Sequence, residues 1–409
     1  METDERYAIE LLRPLDEAPP GPSTVDVMRA VVDGRRRRRA RRTGIISACT
    51  ATALVVIGGP MAAGTIWHRP AAPGVGAASV APTELTWPSL RPTAYPSDLV
   101  PQPTECQVER LPLPKGGTTS LVTGADPAGG YLLGRSYQPG GGTGSYQVLV
   151  WHNEELTTVP VPGSDQTLRD VNSTGDAVGT SYTGQGQRAY GYLGGAVVQL
   201  RGSDADARAI NEIGTIVGTA YQHAVLWRSP KAEPEKLRLP PGRWSSGTAY
   251  GIDDDGTIVG TMYTEKSNDP LPYIWHPDGS VDQLPLPDVD GVPAVAAAVY
   301  DLRDGWATGA VGTTPIRWNL RTGDVRVLTG VAGPTQAINR YGWVVGSNVS
   351  GYAVLATDAG TLTLPPVNPY VRELDNIGRT VSEDGRTVAG QAVLTDSART
   401  TVAVVWHCH

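Results

Sequence analysis

Ala209-Ile210-Asn211-Glu212-Ile213-Gly214-Thr215-Ile216-Val217-Gly218-Thr219 is one version of a phrase that this chain repeats. It returns as Asp170-Val171-Asn172-Ser173-Thr174-Gly175-Asp176-Ala177-Val178-Gly179-Thr180, and again over 251–261 and 337–347. Counting weaker copies, the anchors are Asp126, Asn172, Asn211, Asp253, Asp301, Asn339 and Ser382. Their spacings of 46, 39, 42, 48, 38 and 43 residues suit one four-stranded propeller blade per repeat and exceed a leucine-rich repeat.

The copy at Asp253 shows the parts. Residues 248–252 read as a first strand, 253–256 as a hairpin turn with Gly256 at the position that needs φ > 0, and 257–263 as a second strand. A polar loop over 266–269, a strand over 271–275, a turn at 277–279 and a strand over 281–286 complete the unit. Short apolar runs cut so often by Gly, Pro and Asp mark an all-β protein. Each phrase has a second glycine inside a strand: Gly134, Gly179, Gly218, Gly260, Gly309, Gly346 and Gly390. Such a glycine marks a bulge or a close backbone approach, and convergence of blades near a propeller axis is one reason to need it.

Two further phrases follow each glycine. One is an apolar strand ending near an aromatic residue, as in His223-Ala224-Val225-Leu226-Trp227, Tyr273-Ile274-Trp275 and Val404-Val405-Trp406. The other is a short strand running into proline, as in Leu237-Arg238-Leu239-Pro240 and Leu284-Pro285-Leu286-Pro287, which fits an outermost strand. In this order the phrases over about 105–409 resemble the bacterial extracellular HAF-repeat family. The resemblance implies an extracytoplasmic β-propeller, with no agreed activity and no catalytic residues to carry over.

The last repeat stops after its aromatic strand, while an orphan Leu-Pro strand stands at 107–113. The expected fold is therefore all-β, a seven-bladed propeller whose N-terminal strand closes the last blade, leaving no open sheet edge. Cys106 precedes the orphan strand and Cys408 follows the last aromatic strand, so closure predicts a Cys106–Cys408 disulfide.

Residues 44–67 form the one long apolar stretch, uncharged and long enough to span a bilayer as a helix. The arginine run at 35–42 precedes it, so the positive-inside rule puts 1–43 in the cytoplasm and the C-terminal part outside. An oxidising exterior agrees with the expected disulfide. Residues 68–104 are rich in Pro and Ala and read as a spacer, with the propeller over 105–409. The tail offers two short helical segments, 5–12 and 25–32, and loosely resembles bacterial membrane proteins that partner sigma factors in the anti-sigma manner. It lacks the His and Cys residues of a zinc-type anti-sigma domain.

Residues 44–409 carry 24 Lys and Arg against 33 Asp and Glu, which argues against a nucleic-acid partner. His152, His276 and His407 each follow a repeat tryptophan and read as consensus positions rather than metal ligands. Asp253-Asp254-Asp255-Gly256 reads as a turn, since the alternating oxygen ligands of a calcium loop are absent. No nucleophile elbow, zinc motif or phosphate loop is present, so no catalytic, cofactor or metal residue is expected.

The leading expectation is a non-enzymatic binding, sensing or scaffold module for an unknown external ligand or protein, relaying to a cytoplasmic partner such as a sigma factor. The alternative is a propeller hydrolase or lyase acting on a glycan or peptide. It predicts polar residues that break the consensus at one channel mouth, with Arg303, Asp304, Trp306 and Trp244 as candidates. A third reading, structural adhesion, predicts no concave polar site.

Overall fold

A computed structural model describes residues 100–137, 146–153, 155–266, 269–371, 374–395 and 400–409. The expected tail, membrane span and nearly all of the spacer lie outside these residues. Among the described residues there is no helix, and none that is long and apolar enough to cross a membrane.

Seven four-stranded antiparallel sheets follow one another as blades. They occupy 119–159, 164–199, 206–236, 244–283, 298–327, 332–363 and 377–408, and are numbered here in that order. In each, the first strand is innermost. Blade 7 takes its fourth strand from Cys106–Arg110, which pairs with Thr400–Cys408 in the register Cys106↔Cys408 to Arg110↔Val404. The expected closing strand is thus present, though shorter than 107–113. Cys106 and Cys408 are disulfide-bonded.

The Leu-Pro phrase needs correction. Outer strands are short, and Glu235–Lys236 in blade 3 and Val281–Gln283 in blade 4 end before the phrase begins, while Gly360–Thr363 in blade 6 ends within it. Its leucine is buried instead at Leu237, Leu284 and Leu364, and half-buried at Leu111. Leu111, Leu237, Leu284 and Leu364 each donate their N–H to a third-strand carbonyl of their own blade at 2.9–3.0 Å. The carbonyl of the next residue accepts the indole N–H of the following blade's tryptophan. These bonds run from Trp151 to Pro112, Trp227 to Arg201, Trp275 to Arg238, Trp318 to Pro285 and Trp406 to Pro365, all at 2.7–2.8 Å. The repeat therefore seals blade to blade, satisfying each indole N–H while burying its ring. Blades 2 and 6 have Tyr192 and Ala356 at this position, so they lack the indole bond.

The second glycine also has a more local reason than crowding at the axis. A Cβ on Gly218 would stand 2.0 Å from the Asp206 carbonyl oxygen, and one on Gly179 1.9 Å from that of Thr167. Gly134, Gly260, Gly309 and Gly390 meet the first strand of their own blade in the same way. That strand carries a bulge opposite each glycine, which presses its backbone against the second strand. Gly218→Ala forces backbone to move, and a loss of about 2 kcal/mol is expected. Urea unfolding of the variant checks this, since an unchanged midpoint would show the bulge to be compliant.

Candidate functional site

The bulge does more than demand a glycine. In six blades one inserted residue breaks the two-residue alternation and re-aims a side chain, and in blade 6 a wider irregularity between Ala332 and Ala337 stands in its place. The bulged residues are Thr123, Arg169, Arg208, Tyr250, Tyr300, Gln336 and Arg379, in blade order. All seven line one cavity of about 170 Å³ on the axis. Each stands three residues before its anchor, provided that the anchor of blade 5 is Arg303. Pairing of Asp301 with Thr308 and of Arg303 with Trp306 shows that this is so. Asp301 is thus the counterpart of Asp170, not of Asn172, and the reading of Asp301 as an anchor is corrected.

Neighbours on this ring touch. Asp206 accepts from Arg169 Nε at 3.2 Å and pairs with Arg208 Nη2 at 2.7 Å. The Arg208 guanidinium lies 5.2 Å from the centroid of Tyr250, which meets Tyr300 edge-on at 6.2 Å. Arg379 donates to Gln336. Arg135, from the second strand of blade 1, pairs with Asp165 at 2.8 Å. Burial lowers the pKa of Arg379, and the charge of Arg135 lowers it further. Burial likewise lowers Arg169, opposed by Asp206 and reinforced by Arg208.

The anchors form the next layer. Asn172 Oδ1 accepts backbone N–H groups of Thr174 and Asp176 in its own turn, while its amide donates to Asn211 O of the next blade at 3.4 Å. Asn211 and Asn339 repeat the arrangement toward Asp253 O and Ser382 O. An amide suits this position because it accepts and donates at once.

The residues after the anchors form a rim of opposite charge. Glu212, Asp254, Asp304 and Glu383 oppose one basic residue, Arg340, and they border a second cavity of about 480 Å³. They too bond around the ring: Glu212 accepts from Ser173 N, Asp254 from Glu212 N, and Glu383 from Arg340 N.

Arg303 borders both cavities. It lies 3.3 Å from Glu383, and its side chain keeps 23% exposure to the channel. Burial works against its charge, but Glu383, Asp170, Asp301 and Asp253 more than offset this and hold its pKa above the ordinary value. Burial pushes Asp170 and Asp301 up to about 6 and Asp253 up to about 7. Their oxygens are already engaged. Asp170 accepts Val171 N and Ile210 N, and Asp301 accepts Leu302 N and Ile338 N, at 2.8–3.0 Å. Asp253 accepts Asp304 N and Gly305 N at 2.7 and 3.1 Å. These carboxyls act as clips between blades.

A pH dependence follows. Because the three carboxyls hold protons more tightly when folded, their contribution favours the fold at low pH and is lost as pH rises through about 6 and 7. The melting temperature should fall by several degrees from pH 5 to pH 8. The Asp170→Asn, Asp301→Asn double variant should flatten that decline. Thermal melts at the two pH values decide the matter, and a wild-type melting point that rises toward pH 8 would contradict it.

The residues expected from sequence fare differently. Arg303 reaches the axis and Asp304 the acidic rim. Trp306 packs in the core of blade 6, and Trp244 donates to Pro240 O at 2.9 Å. His152 stacks on Tyr131, His276 meets Asp282 at 3.1 Å and His407 faces Glu109, each in a different blade. The bulge ring was missed, although its signal exists: long polar residues recur three positions before the anchor. Placing the blade 5 anchor at Asp301 hid it, by putting Ala298 where Tyr300 belongs.

Fold and site together define a seven-bladed β-propeller with a polar axial cavity. No family model matches the chain, and no curated protein does. Among solved structures it is similar to the extracellular domains of proteins described as one-component and hybrid two-component systems of B. thetaiotaomicron. Both are 13% identical with TM-score 0.45, covering 74% and 75% of this chain and 40% and 41% of theirs. The chain thus spans about two fifths of their length. An oligogalacturonate lyase from Vibrio parahaemolyticus is 9% identical with TM-score 0.44, over 73% of this chain and 93% of that one. At such identities the likeness is one of fold.

Proposed function

We propose that the propeller is a ligand-binding module of the extracytoplasmic HAF-repeat type, held outside the membrane by residues 44–67, with its ligand seated in the axial cavity. The carrying observation is the bulge ring. Its seven positions, one from each blade, hold Thr, Arg, Arg, Tyr, Tyr, Gln and Arg, and all seven line the same axial cavity. A concave polar site also counts against purely structural adhesion.

The non-enzymatic reading is favoured because the carboxyls with raised pKa are bonded to backbone N–H groups of the blades. A general acid or base must instead face the reacting atom. The cytoplasmic tail relays occupancy to a protein partner, with a sigma factor as the expected class, and no nucleic acid is bound.

The test is a thermal-shift panel on the detergent-solubilised full chain with neutral sugars, sugar acids, amines and short peptides. At least one class should raise the melting temperature by 2 °C or more, on the order of a few tenfold excesses over Kd. The effect should vanish in Thr123→Trp and in Gln336→Trp, either of which fills the cavity. A panel without any shift sinks the ligand-site reading. Capture of a sigma factor by the full chain but not by a chain lacking 1–43 supports the relay, and equal capture by both refutes it.

A further inference from the structure

The three arginines of the bulge ring, Arg169, Arg208 and Arg379, have one carboxylate partner among them, Asp206, while Asp126, Asp170 and Asp301 also border the cavity. Asp206 sits between Arg169 and Arg208, showing that the ring accepts a carboxylate between two guanidiniums. Across the same cavity, Arg208 Nε, Arg379 Nε and Thr123 Oγ1 are buried and have no hydrogen-bond partner. Buried donors are normally satisfied, and leaving one bare costs stability. Arg135 adds a further cation beside Arg379, with Asp165 as its partner. Two tyrosines, Tyr250 and Tyr300, complete this wall with aromatic faces and phenol hydroxyls. The cavity, about 170 Å³, is smaller than the roughly 300–1,000 Å³ of sites that enclose a drug-sized ligand.

We propose that the cavity is a carboxylate site for a sugar acid, with Arg379, Arg208 and Thr123 holding the carboxylate and Tyr250 and Tyr300 the sugar ring. This rests on the reading of the cavity as a ligand site. Guanidinium presents paired N–H groups that match a carboxylate, which an ammonium does not. The tyrosines offer C–H faces a place to stack and hydroxyls a hydrogen-bond partner. The small volume admits one residue, which is either a free sugar acid or the acidic end of a polysaccharide.

Calorimetric titration of the full chain tests this with sodium D-glucuronate, D-glucose and a glucuronate-terminated tetrasaccharide. Glucuronate should bind at least tenfold more tightly than glucose. Arg379→Gln and Arg208→Gln should each weaken glucuronate at least tenfold, while Arg379→Lys keeps part of the affinity. A tetrasaccharide tighter than the monosaccharide identifies a chain end as the source, and a weaker one identifies the free acid. Glucose binding as well as glucuronate, or unchanged glucuronate affinity in both glutamine variants, overturns the proposal. If another class in the thermal-shift panel binds and glucuronate does not, this inference fails while the ligand-site reading stands.

Discussion

Replacing Cys106 and Cys408 by serine should lower the melting temperature of the propeller by about 10 °C. The bond closes a loop with a sequence separation of 302 residues, and chain entropy alone gives about 5–6 kcal/mol for a loop of that length. At roughly 2 °C per kcal/mol for a domain larger than the 150–250-residue range, this is a large displacement. The mechanical reason agrees with the entropic one. Besides the disulfide, five register pairs, Cys106↔Cys408 to Arg110↔Val404, and flanking backbone bonds of Glu105 with His409 and of Leu111 with Ala403 hold the closing strand in blade 7. Trp151 of blade 1 in turn bonds to Pro112, just beyond that strand. Losing the strand therefore exposes a face of blade 7 and releases an indole N–H of blade 1. Both cysteines are buried, so serine variants are a cleaner test than added reductant. Calorimetric melts that coincide with wild type would mean that the backbone pairing of this strand and the Trp151 bond suffice to close the ring.

The second large effect belongs to Arg303. Arg303→Met removes the cation shared by Glu383, Asp170, Asp301 and Asp253 and leaves these carboxyls without it. Breaking a buried ion pair from one side costs about 3–5 kcal/mol. With 23% of the side chain exposed, about 3 kcal/mol is expected here. The pH dependence distinguishes this cause from simple loss of packing. Without the guanidinium, Asp170 and Asp301 hold their protons to still higher pH, so the deficit should grow from pH 5 to pH 8. Arg303→Lys should recover part of the stability at pH 8. A deficit independent of pH would assign Arg303 a packing role only.

The seven copies of the phrase, the order of strands within each and the orphan strand before Leu111 were legible because each follows from local chemistry. Turns need glycine, strands need apolar alternation, and a propeller needs its last sheet edge covered. The disulfide was legible for the same reason, since closure puts Cys106 opposite Cys408. The Leu-Pro phrase was misplaced because burial of Leu237 or Leu284 depends on the neighbouring blade, which no single repeat contains. Asp301 passes for an anchor in the sequence because acidic residues occupy both that position and the anchor elsewhere, as in Asp170 and Asp253.

By itself the sequence pointed to seven blades, to the strand order and to the pair of cysteines that closes the ring. These are properties of one repeat and of its count. Only the tertiary structure decided that seven bulged residues, 36 to 50 positions apart along the chain, share one cavity, and that Arg303 stands among four carboxyls. The physical reason is that a bulge is a mismatch between two strands. Its glycine and the polar residue three positions before the anchor can be read in one repeat, but that side chain reaches a shared cavity only when the blades have met around the axis.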